Sequence, residues 1–290
     1  GNDVRIRNST FKNNRALESD GGAIFIQGEN TQIINSNFED NFASNIGGAI
    51  HIQGGNVTVF SSIFNNNVAD YGAAIYIVGE NATVSKSIFK NHTVKNGTVF
   101  INGEKAYINA SDFNENHGVY GAAVFIEGSK ANMRASNFTN NNVSKNGGAV
   151  YIVGSNSKLT DSNFFYNNAI PNQSDIDSGL GGAVYIKGDN NLFRNSNFTY
   201  NTARNGSAIY TDGKNVTLNK TSFDKNQAWS YRLDLDAIPS ISYFNQSDII
   251  INISYKGGNN IANAIYNTAS IEDISFYNVS YISSKDRRKL

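Results

Sequence analysis

Residues 47–72 read GGAIHIQGGNVTVFSSIFNNNVADYG, and Ala73-Ala74-Ile75-Tyr76-Ile77 then begins the same phrase again. Two signatures lie in this stretch. One is a Gly-Gly-Ala-Ile box. The other is Ser-x-Phe-x-x-Asn, here Ser62 to Asn67. The box recurs at Gly22, Gly48, Ala73, Gly97, Ala122, Gly148, Gly182 and Ser207, with spacings of 26, 25, 24, 25, 26, 34 and 25. The Phe of the second signature recurs at Phe11, Phe38, Phe64, Phe89, Phe113, Phe138, Phe164, Phe198 and Phe223. From the Gly that closes each box (Gly54 here) to the Phe is always 10 residues, so this half of the unit admits no insertion. The segment from the Asn to the next box varies in length and reads as a surface loop. A period in this range marks a stack of repeats.

Within each unit the apolar residues alternate, as on the buried face of a strand. Ile24, Ile50, Ile75, Val99, Val124, Val150, Val184 and Ile209 form one column. Ile26, Ile52, Ile77, Ile101, Ile126, Ile152 and Ile186 form the next. A second strand supplies Ile33, Val59, Val84, Ile108, Met133, Leu159, Phe193 and Leu218, and the Phe column is the third inward set. Two or three short strands per ~25 residues, with no helical period, predict an all-β chain. The expected fold is a right-handed parallel β-helix of about eight to nine coils, each one strand spacing of ~4.8 Å from the next. The Ser column (Ser36, Ser62, Ser87 and on) and the Asn column (Asn14, Asn41, Asn67, then Asn116 to Asn226) read as structural ladders that pair buried backbone groups. His92 alone interrupts the Asn column. Gly1 falls in register with the post-box Gly, so the chain begins within a coil and is expected to be a fragment or processed piece whose first coil something upstream covers. Residues 1–226 are read as the β-helix. Residues 227–290, with Trp229, Pro239 and the Ile249/Ile251/Ile253 run, are read as a cap or a start of the next module. They contain one degenerate coil at Asn263–Tyr266 and Ile274–Phe276, and the tail from Lys285 is expected to be disordered.

Composition narrows the function. Charged residues are 17%, and Lys+Arg and Asp+Glu balance at 24 each, so there is no basic excess for nucleic acid or an anionic membrane. The chain has 47 Asn, a residue that tolerates turns, against 2 Pro. Having no Cys, it has no disulfide, thiolate metal site or Cys nucleophile. No stretch approaches the ~18 apolar residues of a spanning helix.

The paired GGAI and FxxN signatures resemble the repeat of the chlamydial polymorphic outer membrane proteins. The Asn-rich phrases SNFxxN and GGNNIANAIYN (residues 257–267) look like the adhesin-like surface proteins of methanogenic archaea. The resemblance runs through about nine copies over residues 1–226 and again over 255–282. It implies a pectate-lyase-like β-helix, export to the extracellular cell surface and a role in attachment within a larger multi-module protein. It carries over no catalytic residues. The fold is shared with polysaccharide lyases and hydrolases, so fold alone does not decide function.

Between the inward aliphatics of the box strand stands a column of rings: Phe25, His51, Tyr76, Phe100, Phe125, Tyr151, Tyr185 and Tyr210. Strand alternation points them to solvent, beside a shelf of small residues (Ala23, Ala49, Ala74, Thr98, Ala123, Ala149, Ala183, Ala208). Such an apolar strip predicts an interaction site for a glycan or protein of another cell. The competing reading is self-stacking, since rings one strand apart fall within the ~4.5–7 Å of offset pairs; a third is that a loop or the C-terminal segment covers the ridge. A second candidate is the insertion Tyr166–Leu180, nine residues longer than its counterparts, which holds Asp175 and Asp177. Its alternative is a tolerated solvated loop. Calcium is conceivable there, but no EF-hand or nonapeptide pattern is present, and no metal or cofactor is expected.

Support for catalysis is thin. Glu127 and Asp212 are the outward acids of the box strand, about three coils or ~14 Å apart by strand spacing, beyond the reach of a glycosidase pair. His51, His92 and His117 lie on separate coils with no Ser/Asp pattern. The chain is therefore expected not to be an enzyme, with a spacer or a polysaccharide lyase or hydrolase as alternatives. Sixteen Asn-x-Ser/Thr sequons, among them Asn8, Asn56, Asn81, Asn91 and Asn142, fit a surface glycoprotein.

Overall fold

The computed structural model describes residues 1–171, 175 and 178–228, together with the backbone of the strands Ile265–Asn267, Ile274–Tyr277 and Ser280–Ile282. The chain winds as a right-handed parallel β-helix with no helical element among the described residues. Each coil contributes one strand to each of four parallel sheets. The box sheet holds Ile24–Gln27 and its equivalents, and the aliphatic sheet holds Gln32–Ile34. The phenylalanine sheet holds Asn37–Glu39, and a fourth sheet holds Phe42–Ala43. The register is the one read from the repeats, with Ile50 on Ile75, Val59 on Val84 and Phe64 on Phe89. Gly28 lies over Gly1, where a Cβ would meet the Gly1 carbonyl oxygen at 2.1 Å. The strand Ile265–Asn267 pairs with Ile209–Asp212 and Ile274–Tyr277 with Val216–Asn219, so the degenerate coil is a real coil. The expectations for Trp229, Pro239, the Ile249–Ile253 run and the Lys285 tail lie outside the described residues.

Two expectations need correction. The segment after the Asn is not only a loop: it carries the fourth strand, of two to five residues. Its inward position is Ala43, Ala69, Val94, Val143, Ala169 or Ala203, one small residue per strand, which leaves no alternation to detect. The box alanines are not a surface shelf either. Ala49, Ala74, Ala123, Ala149, Ala183 and Ala208 are fully buried in the main core. The physical reason is a corner. Ala74 and Ile75 N–H both donate to Thr98 O, and Ala123 and Val124 N–H both donate to Ala149 O. Two successive donors on one carbonyl break the strand alternation, so parity counted back from Ile75 fails at Ala74.

The corners explain the asparagines. Among the described residues φ is positive at 27 non-glycine positions, three per coil, and 13 of them are Asn (among them Asn30, Asn35 and Asn66). Left-handed backbone costs most residues about 1–2 kcal/mol, and Asn tolerates it best. The corner before each box uses glycine instead, as at Gly72 (φ 59).

Two inward polar ladders close the turns. Ser36 N–H donates to Ser62 Oγ (3.2 Å), and Ser36 Oγ donates to Ile34 O (3.0 Å). Asn41 N–H and Nδ2 both donate to Asn67 Oδ1 (2.9 and 2.9 Å), and Nδ2 also donates to Phe11 O (3.0 Å). His92 replaces one rung: its Nδ1 accepts from Asn67 N–H (3.0 Å), and its own N–H donates to Asn116 Oδ1 (3.2 Å). The proton then sits on Nε2, which has no partner.

Burial pushes His92 from its ordinary 6.5 down to about 3. The unfolded chain therefore binds a proton below 6.5 that the folded chain refuses. The stability from this site is complete above 6.5 and drains away as pH falls towards 3. Acidification from pH 7 to about pH 5 should remove about 2 kcal/mol through His92. His92→Asn restores the side-chain donor to Phe64 O and should raise stability by about 1 kcal/mol at neutral pH. Urea unfolding of both proteins at the two pH values checks this. An acid loss of equal size in wild type and variant would refute it.

Candidate functional site

The outward ring column forms one continuous stack along the box sheet. Phe25 tilts against His51 at 4.8 Å, and His51 meets Tyr76 edge-on at 5.3 Å. From Tyr76 through Phe100, Phe125, Tyr151 and Tyr185 to Tyr210 the rings lie nearly parallel at 4.5–5.2 Å. The end of the fourth sheet covers them from the side. Tyr71 packs edge-on against Phe100 (6.0 Å), and Tyr120 packs edge-on against Tyr151 (5.5 Å).

The exposed ridge read from alternation is thus corrected to a mostly buried spine. His51 is 2% exposed and Phe100 3%; Phe125, Tyr185 and Tyr210 are buried, and Tyr76 and Tyr151 are half-buried. Only Phe25, the lowest ring, is open at 48%. Each interior ring has its faces taken by neighbours, which leaves only edges and hydroxyls to solvent. Burial raises the Tyr76 and Tyr151 hydroxyls and pushes Tyr185 up to about 12 with help from Asp212, so all three stay protonated. Burial lowers His51, and the Asp20 carboxylate 3.5 Å from Nδ1 opposes that only in part.

The other candidates separate. Glu127 and Asp212 share one outward column with Val153 and Lys187 between them, so they do not form a carboxylate pair. His117 lies on the outer face of the fourth sheet and His92 inside the coil. Asp175 is tied into its loop: its carbonyl accepts from Arg204 Nη1 (2.6 Å) and Ser178 Oγ (3.3 Å), and its carboxylate sits 3.9 Å from Lys145 Nζ. Asp177 lies outside the described residues. Among the described residues no His, Cys, Asp and Glu cluster could hold a metal ion.

One pair was not singled out from the sequence. Tyr166 and Tyr200 stand at the corner two residues after the Phe, where the other coils carry Asn13, Asp40, Asn66, Asn91, Glu115, Asn140 and Lys225. Both take left-handed backbone (φ 53 and 56), which is rare for a bulky residue. They are 49% and 36% exposed and stack in parallel at 4.8 Å. The signal was present in the corner column, where aromatics replace turn-forming residues.

Comparison with known families finds the Chlamydia polymorphic membrane protein repeat at residues 8–27, 35–53 and 135–153. Each match runs from the corner before a phenylalanine strand to the last residue of the following box strand. The matches therefore cover a structural unit, with FxxN and GGA[IV] at its two ends. No curated protein matches the chain.

Proposed function

We propose that the chain is a rigid, surface-displayed module of an adhesin-type protein, which holds an attachment surface outside the cell and binds a glycan or protein of another cell. The observation that carries this reading is the coil-on-coil register of two polar ladders, one of them with His92 as a single replaced rung, and two ring stacks along the rod. Every coil is bonded to the next at four sheets and in the core, which suits a part that bears tension between two cells. The three matches to a polymorphic membrane protein repeat support a place at the cell surface. The resemblance of the Asn-rich phrases to archaeal adhesin-like proteins, read from the sequence alone, points the same way. Zero net charge favours recognition of a neutral surface over a strongly charged one.

A spacer reading has its own support: the ring spine is buried and serves the rod. The two are separated by displaying the 290-residue chain on non-adherent cells and counting attachment to candidate partner cells. With Tyr151→Phe/Tyr185→Phe the rings stay stacked, and both attachment and unfolding temperature should match wild type. Tyr151→Ala/Tyr185→Ala should lower the unfolding temperature first, through lost stacking of about 0.5–1.5 kcal/mol per ring pair and lost burial. Attachment lost by the Phe double variant at unchanged stability would place the binding site on the spine. Absence of attachment by wild type would leave the spacer. Release of reducing or unsaturated ends from a polysaccharide panel would instead establish an enzyme.

A further inference from the structure

We infer that Tyr166 and Tyr200 form a stacking platform for a neutral pyranose, and that this corner, not the box-sheet spine, is the glycan-binding surface; the inference rests on the adhesin reading above.

The argument starts from cost. A left-handed tyrosine is strained, and five of the nine equivalent corners carry Asn or Asp instead, the residues that tolerate it best. The side chains add nothing to the core, because both rings stand outside it. Their stacking on each other offsets only part of the strain of two left-handed bulky residues, so stability alone does not explain two tyrosines in succession here.

The rings are held ready. Lys225 Nζ sits 4.6 Å over the Tyr200 ring and donates to its hydroxyl at 2.6 Å, so Tyr200 is clamped between Lys225 and Tyr166. At the backbone, Asn168 Nδ2 donates to Tyr166 O (3.3 Å) and to Asn142 Oδ1 (2.7 Å). A fixed ring loses little freedom on binding.

One ring face remains. Among the described residues no ring or cation covers the side of Tyr166 away from Tyr200. One coil towards the N-terminus lies Asn140, whose backbone N–H donates to Phe165 O (3.0 Å) and whose side-chain amide makes no hydrogen bond among the described residues. Asn140 holds the Tyr166 position one coil down, and its side chain is the shorter of the two. A sugar whose C–H face lies on Tyr166 takes the place of the next ring in the stack, and the Asn140 amide is left to donate to and accept from its hydroxyls. An aromatic face beside an amide, with Lys225 engaged on the far side of Tyr200 by the ring, its hydroxyl and Asp224, fits a neutral hexose or N-acetylhexosamine better than an acidic sugar.

The test uses the 290-residue chain on an array of neutral hexose and N-acetylhexosamine oligosaccharides, with uronic and sialic acid glycans beside them, and on partner cells with and without periodate treatment. Tyr166→Asn installs the residue the neighbouring coil uses. It should weaken binding to neutral glycans about tenfold, the size of one lost aromatic contact, while the unfolding temperature stays equal or rises. Tyr166→Phe should bind like wild type. Unchanged glycan binding by Tyr166→Asn would overturn the site while leaving the adhesin reading standing. Binding only to acidic glycans, or cell binding that survives periodate, would overturn the ligand class. Wild type that binds neither glycans nor cells would overturn the adhesin reading and this inference with it.

Discussion

Replacing Asn141 with alanine is expected to cost about 4 kcal/mol of unfolding free energy, because it strands several buried groups at once. Asn141 Oδ1 accepts from Asn116 N–H (3.3 Å) and Asn116 Nδ2 (2.9 Å). Its Nδ2 donates to Phe113 O (3.1 Å) and Asn167 Oδ1 (3.0 Å). Alanine removes all four bonds, and both Asn116 donors face a site from which water is excluded. The measurement is urea unfolding followed by circular dichroism. Asn141→Asp gives a second reading: it keeps the acceptor for Asn116 but loses the donor and buries a carboxylate, so it should also be destabilising. A loss below about 1 kcal/mol for the alanine variant would mean that water reaches the ladder, and the structural role assigned to it would fall.

Phe138→Ala should cost about 3–5 kcal/mol, the range for a large buried aromatic. Phe138 is fully buried between Phe113 at 5.0 Å and Phe164 at 4.7 Å. Neighbours fixed by their own hydrogen-bonded coils cannot collapse into the gap. The cost should depend on position, since a stack of coils is stabilised by nearest-neighbour contacts. Phe11 is half-buried and stacks only on Phe38, at 4.9 Å. Phe11→Ala should therefore cost about half as much or less. Equal losses at the two positions would contradict a stack held coil by coil.

Much of this architecture can be read from the chain. Phe64 over Phe89, Val59 over Val84 and Gly28 over Gly1 follow from ten-residue spacing alone, and the Ser and Asn ladders from their place beside the Phe. His92 was visible as an interruption, yet its fit as an acceptor for Asn67 N–H was not, because it depends on which ring nitrogen faces the turn. The fourth sheet escaped notice because a strand with one inward alanine has no period. Tyr166 and Tyr200 form no periodic column, since only two of the nine equivalent corners carry an aromatic, and their cost shows only in the left-handed backbone.

The sequence by itself determined the coil, its register, the inward aliphatic and Phe columns and the Ser and Asn ladders. Stacking at one strand spacing sets like over like, so each physical column is also a periodic column of letters. Only the tertiary structure decided which outward residues meet solvent. The Phe100 ring is shut in by Tyr71, and Tyr151 by Tyr120, residues 29 and 31 positions away that arrive from the preceding coil across a corner. Strand alternation reports which side of a sheet a ring leaves from; what lies over that side depends on how the next sheet turns, and no local pattern encodes it.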